Sequence, residues 1–421
     1  MSLTSSRAIL STLGTAAAIL SAACGSESAD TSDIDSILQA AVERGEVPGV
    51  VAMATTSDGV IYQGAFGKRN VAADEDMTLN TIFRIASMTK AITSVAAMQL
   101  VEEGGLDLEA PVAEHIPGFA DLRILEGLDE ATGQPNYRPA ATAVTVRHLF
   151  THTAGFGYEF WNDRLRRATE SGLVPSHLAG GDGFLNAPLV FEPGERWHYG
   201  INTDWLGRLV EELRGSALDE VFAERILLPL EMQDTRFNVP ASDVERLVTI
   251  HARQADGGLV ESPREPPAAV SFFSGGGGLY STASDYVRFL RALLRGGELD
   301  GVRILEAGSI EMMGRNHIGE LEAGAMRTVM PGVSNDFDFF PASVDRFGLG
   351  FLINTEPVPG GRASGSLAWA GLYNTYFWVD PAEDVAGVLL TQILPFNDGA
   401  VSELLGEFER AVYRHIDGVS R

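Results

Sequence analysis

Two amino-acid types are nearly missing from the 421 residues: cysteine occurs once, as Cys24, and lysine twice, as Lys68 and Lys90. A single cysteine excludes an internal disulfide framework and any zinc cluster built on thiolates. None of the eight histidines falls in H-E-x-x-H or another ligand spacing, so the sequence offers no resident metal and implies no cofactor. The glycine-rich run SGGGGL at 274–279 lacks the lysine of a phosphate loop. No internal repeat occurs, and no apolar run reaches the roughly 20 residues of a membrane span. Positive charge is scarce too: 31 Lys+Arg against 57 Asp+Glu leave a net charge of -26. A field of that sign repels nucleic acid and anionic membrane surfaces, and its ordinary use is a solvated acidic surface. What remains, 45% hydrophobic and 21% charged, suffices for one large or two ordinary domains with a substantial core.

Cys24 has an informative neighbourhood. Arg7 precedes an apolar run from Ala8 to Leu20, small residues Ser21 to Ala23 lead to Cys24, and a polar tether follows at 25–32. The segment 1–24 resembles a bacterial lipoprotein signal, which implies export, an outward-facing location and lipidation of Cys24 as a membrane tether. Leucine stands four places before Cys24 rather than the three a lipobox prefers, and plain secretion is the alternative.

From Asp33 to Arg44, Ile34, Ile37, Leu38 and Ala41 have helical spacing, ended by Gly45. VVAMATTSDGVIYQGAFGKRN predicts two strands around a Ser57-Asp58-Gly59 turn, and a helix starting near Ser87 is expected to bury Met88, Ile92 and Val95 on one stripe. Through 106–270 loops alternate with helical stretches, clearest in TDWLGRLVEELRG. Further on, Ser281 or Thr282 caps a helix carrying Tyr286, Phe289, Leu290, Leu293 and Leu294. SLAWAGLYNTYFWVD and DVAGVLLTQ read as adjacent strands joined at Asp380-Pro381, with Trp378 as sheet packing, before a last helix from Glu403 to Ile416. This order fits an antiparallel sheet assembled from both ends of a single α+β domain at 33–416.

The chemistry centres on SMTK at 87–90. Ser87 and Lys90, three apart on a helix, share a face, and the Ser87 N–H at the helix start is free to hold an oxyanion. Lysine can act as a base where arginine cannot, provided its pKa falls by roughly 3 units. From these residues alone, an N-capping serine followed by a surface lysine is the favoured account. Two motifs downstream change that balance: FEPGERWHY at 191–199, which sets Tyr199 in a loop before a helix, and Trp369-Ala370-Gly371 on a strand.

With LFTHTAGF at 149–156, PLEMQDTRF at 229–237, GGGGLYSTASDYVRFL at 275–290 and FGLGF at 347–351, the chain resembles the serine β-lactamase and penicillin-binding-protein superfamily. Within it, the similarity points to the class C β-lactamase-like carboxylesterases called family VIII. The resemblance implies a β-lactamase/transpeptidase-like fold, with an α/β part at 33–105 and 271–416 and a mostly helical part at 106–270. It also implies that Ser87 is acylated, Lys90 is its helix partner, Tyr199 relays the proton, and the N–H groups of Ser87 and Leu372 form the oxyanion hole. Trp369, Ala370, Gly371 and Asn202 fall on substrate-binding positions. Two departures bear on activity. Gly200 and Ile201 follow the tyrosine where lactamases place asparagine two positions on, and Trp-Ala-Gly replaces Lys-Thr-Gly, as is typical of the esterases. His152 belongs to a packing motif, and no serine sits in G-x-S-x-G. The expectation is a serine hydrolase of small-molecule, short-chain carboxylic esters. A β-lactamase or peptidase on the same site, an acyltransferase, and an idle sensor are the alternatives.

Overall fold

The computed structural model describes residues 31–419; Cys24 and the expected signal at 1–24 lie outside them. The chain enters through α1 (Ser32–Glu43), which buries Ile34, Leu38 and Ala41 and stops where Gly45 turns at φ 71°. The expected strand pair follows as β1 (Gly49–Thr55) and β2 (Val60–Asn70), extended by the short β3 (Glu75–Asp76). Every residue of β1 is buried, which is why GVVAMAT is a continuous apolar run rather than an alternation.

Three helices then shape the middle of the molecule: α2 (Thr89–Glu102), α3 (Asn202–Arg214) and α4 (Ala283–Leu294). The expected single stripe on α2 is corrected here, because every residue from Thr89 to Leu100 is buried. The helix packs against α3 and against the helical segments at 218–222 and 223–227, and its sequence TKAITSVAAMQL carries no charge except Lys90. Helix α3 ends at Gly215, in the left-handed conformation at φ 67°, as its sequence indicates. Thr282, not Ser281, caps α4 by accepting from the Asp285 N–H at 3.2 Å; the Ser281 hydroxyl is engaged with that of Thr235 at 2.7 Å.

The C-terminal part supplies β4 (Arg346–Phe347), β5 (Leu352–Ile353), β6 (Leu367–Gly371), β7 (Thr375–Asp380), β8 (Val385–Leu390) and α5 (Gly399–Val419). The stretch read as one strand, SLAWAGLYNTYFWVD, is thus a hairpin. Asn374 at φ 59° makes its turn, and the Asn374 amide donates to the carbonyls of Ile393 and Pro395, each at 2.9 Å. The last helix begins earlier than Glu403 because the Asp398 carboxylate, paired with Arg253 at 2.7 Å, accepts from the N–H groups of Ala400 and Val401.

Eight strands form one antiparallel sheet in the order β4-β5-β6-β7-β8-β1-β2-β3. The join between its fifth and sixth strands, β8 and β1, is between the two ends of the chain, with Val51 opposite Leu390. Neighbouring residues of β7 point to opposite faces: Phe377 meets Tyr286 of α4, with ring centroids 5.3 Å apart, and Trp378 meets Phe408 of α5 at 5.7 Å. The fold is the β-lactamase/transpeptidase-like α+β arrangement, and β6 ends beside the start of α2.

Candidate active site

The approach to Ser87 is a strained turn. Phe83 and Arg84 pair with Ser281 and Tyr280, and Ala86 then takes a positive φ of 42°, rare for a residue with a side chain. A single 3-10 turn, Ala86–Met88, leads into α2, so Ser87 precedes the α-helix rather than starting it. The end of β6 comes down on this turn: a Cβ on Gly371 would lie 2.3 Å from the Ile85 carbonyl oxygen, so only glycine fits. Ser87 and Leu372 both line the same cavity, and neither backbone N–H donates to a protein acceptor among the described residues. Two amide donors are therefore available beside the serine hydroxyl.

Lys90 lies one turn on and is buried. Its Nζ is 2.6 Å from the Gly276 carbonyl oxygen, 3.0 Å from the Tyr158 hydroxyl and 3.3 Å from Ser87 Oγ. Burial lowers its pKa to about 7, against an opposing pull from the Asp204 carboxylate. A neutral amine has two N–H donors and one lone pair. With Gly276 and the Tyr158 oxygen taking the donors, the lone pair is left for the Ser87 hydroxyl. The glycine-rich run is what frames the lysine. Asp204, in the first turn of α3, accepts from the Ser274 hydroxyl at 2.5 Å and from the Gly276 N–H at 3.0 Å, and a Cβ on Gly276 would collide with that carboxylate at 2.2 Å. SGGGGL thus supplies a carbonyl to an amine where a phosphate loop supplies amides to an anion.

Tyr199, just ahead of α3, is buried, and its hydroxyl accepts from the Trp369 indole N–H at 3.1 Å. Burial raises its phenol pKa, while hydrogen bonds from Ser87 and Trp369 oppose that rise, so the resting phenol is protonated. Lys90 Nζ lies 4.7 Å from its ring centre. Of the two groups able to take the serine proton, the lysine is the one poised near neutrality. Tyr158 is likewise buried and held protonated by desolvation.

Ser87, Lys90, Tyr199 and the segment Trp369 to Leu372 therefore meet at one place. Asn202 does not. It is fully buried, its amide meets His152 Nδ1 at 2.9 Å, and it does not line the cavity, which corrects its expected substrate contact. Its side chain is taken up by that buried contact with His152 instead. His152 is itself buried against Tyr199 and Trp369, and burial holds its imidazole well below its ordinary pKa. Tyr158 carries no motif in the sequence; the signal was its place two residues beyond LFTHTAGF.

The cavity above these groups has a volume of about 320 Å³ and a largely aromatic wall that includes Phe160, Trp161, Phe184, Phe237, Phe337 and Phe396. Among the described residues Arg84 is the sole charged side chain on that wall, lying 5.6 Å over the Tyr280 ring. The lining draws on 177–184, 268–280 and 326–337, segments with no local pattern to announce it. Among the described residues no group of three or more His, Cys, Asp or Glu is arranged to hold a metal ion.

The family model described as Beta-lactamase matches residues 34–410. The monacolin J acid methylbutanoyltransferase of Aspergillus terreus is 31% identical over 396 residues, covering 90% of this chain and 95% of the relative. The lovastatin esterase of Penicillium rubens is 30% identical over 409 residues, covering 90% and 98%. Among solved structures, a variant of the simvastatin synthase of Aspergillus terreus superposes with a TM-score of 0.79 at 28% identity, covering 91% of this chain and 97% of that one.

Proposed function

The chain belongs to the beta-lactamase family, and from that premise we propose that it hydrolyses carboxylic esters through an acyl-enzyme on Ser87. The observation that carries this reading is the Ser87–Lys90 contact under an aromatic cavity. At pH 7 an ordinary lysine is about 0.03% neutral, whereas one with a pKa of about 7 is half neutral. Neutral Lys90 takes the proton as Ser87 Oγ attacks the ester carbonyl, and the N–H groups of Ser87 and Leu372 hold the oxyanion. The protonated Tyr199 hydroxyl gives its proton to the departing alkoxide and is left as a phenolate, which takes a proton from the attacking water in the second half-reaction while the Lys90 ammonium returns its proton to Ser87 Oγ. Water then releases the acid and regenerates Ser87.

We assign short acyl chains, acetyl to hexanoyl, to the acyl side, and the broad apolar cavity to the alcohol side. The similarity to an acyltransferase and an esterase supports a second outcome of the same acyl-enzyme, transfer to an alcohol that displaces water from the apolar cavity. β-Lactams fit less well. The Trp369 N–H is committed to Tyr199, so the position that carries lysine in lactamases offers no cation to a substrate carboxylate.

A fluorophosphonate should add one mass increment at Ser87, and Ser87→Ala should lose both label and turnover while staying folded. Chromogenic acetyl to hexanoyl esters should be cleaved faster than a chromogenic cephalosporin. Labelling at a different serine, or faster cephalosporin turnover, would overturn the reading.

A further inference from the structure

His177 lines the cavity yet belongs to none of the hydrogen-bonded groups around Ser87. It opens the 3-10 turn His177–Ala179, and its main chain is pinned: the Glu159 carboxylate accepts from the Ser176 hydroxyl at 2.6 Å and from the His177 N–H at 3.0 Å. The imidazole is wedged edge-on between Tyr158 and Phe184, with ring centroids 4.7 and 4.6 Å away. The ring is therefore held by packing alone. Its Nδ1 is buried without a partner, and no protein group bonds its other nitrogen among the described residues.

Burial lowers the imidazole pKa, Asp204 and Glu159 pull the other way, and the nearby Lys90 lowers it further, so the ring is neutral at pH 7. A neutral imidazole has one N–H and one lone pair. An orphaned buried N–H is rarer in folded proteins than an under-satisfied acceptor. The lone pair accordingly takes the buried Nδ1 position and the proton sits on Nε2. His177, a residue of the cavity wall, then carries a donor with no protein acceptor among the described residues, beside a largely apolar space where one hydrogen bond fixes a ligand's orientation.

We propose that His177 determines specificity by donating a hydrogen bond from Nε2 to an oxygen, as hydroxyl, ether or carbonyl, carried by the large apolar part of the substrate away from the scissile ester. The proposal rests on Ser87 being the nucleophile of this cavity. It selects oxygenated apolar esters over hydrocarbon esters of the same size.

The test uses butanoates of arylalkyl alcohols, each paired with its analogue lacking one remote hydroxyl. The wild-type protein should prefer the hydroxylated member of at least one pair. His177→Leu should lower that preference about tenfold in kcat/KM, chiefly through KM, the size expected for one neutral hydrogen bond. His177→Gln, which keeps an N–H donor, should retain part of it. No preference in any pair, or an unchanged ratio in His177→Leu, overturns the proposal. ¹⁵N-histidine spectra of the intact wild-type protein give a reading independent of any variant's folding: at pH 7 the Nε2–H tautomer is expected, and the Nδ1–H tautomer or an imidazolium overturns the assignment. Failure of the underlying reading looks different, since the hydrocarbon esters would then not be cleaved at all, or would be cleaved equally by Ser87→Ala.

Discussion

Trp369 and Tyr199 are joined by one hydrogen bond, the indole N–H donating to the phenol oxygen at 3.1 Å, although the two residues come from a strand and a loop far apart in the sequence. The bond opposes the effect of burial on the phenol and fixes the hydroxyl that faces Ser87. Trp369→Phe keeps the apolar face and deletes the donor. It should lower kcat about tenfold with little change in KM, the expected size of a neutral hydrogen bond. Steady-state kinetics on a short neutral ester check this, and a variant with wild-type kcat would show the bond to be merely structural.

Lys90 gives a prediction with a definite sign. Its ammonium has no lone pair, so the proposed acylation requires the neutral amine. Because the folded pKa is lowered to about 7, the acylation rate should rise with pH through about 7 and level off above it. Single-turnover kinetics between pH 5 and 9 measure the limb. Lys90→Arg, which retains charge and cannot deprotonate, should lose at least ~100-fold in turnover.

Asp204 tests the cause of that pKa. Burial lowers Lys90 and the Asp204 charge partly restores it. Asp204→Asn retains an acceptor for the Ser274 hydroxyl and the Gly276 N–H but removes the charge. The acid limb should move to lower pH by about one unit. A limb displaced upward would mean that another group titrates.

Gly371→Ala places a methyl group 2.3 Å from the Ile85 carbonyl oxygen, so the end of β6 must lift away from the Ser87 turn. The Leu372 amide moves with it. Turnover should fall by roughly 100-fold or more, the scale associated with about 1 Å of misplacement at a reacting centre. The melting temperature should also drop, and a variant with unchanged turnover would remove Leu372 from the oxyanion hole.

Much of the scaffold was legible because its signals are local. Gly45 and Gly215 stop helices, Ser57-Asp58-Gly59 turns a hairpin, and the apolar spacing of α4 faces one way. The misreadings arose where tertiary surroundings decide. Helix α2 is enclosed on all sides, so periodicity could not locate a single buried face. A hairpin at Asn374 passed for one strand because its turn carries a single asparagine signal, at positive φ with its N–H on the Gly371 carbonyl, inside an otherwise apolar and aromatic run, and that side chain is anchored by carbonyls remote in sequence, 393 and 395. Of the site, Ser87, Lys90, Tyr199 and Trp369 stood in ordered motifs. Tyr158, Asp204 and His177 did not, since each matters through a partner remote in sequence. Asn202 failed as a site residue by one position in the chain.

The seam of the sheet where β1 lies against β8 bears on when this protein becomes reactive. On the proposed mechanism the nucleophile arrives soon after the first strands, the Asp204-braced carbonyl for its lysine with the middle, and the second oxyanion amide near the end. A chain still being made, or one threaded through a pore, has a serine and a lysine but no enclosed amine and no pair of amides. Such a chain is expected to be chemically silent until its last strands dock. Covalent capture of Ser87 therefore reports completed assembly, and two separately expressed halves should acquire it only on joining.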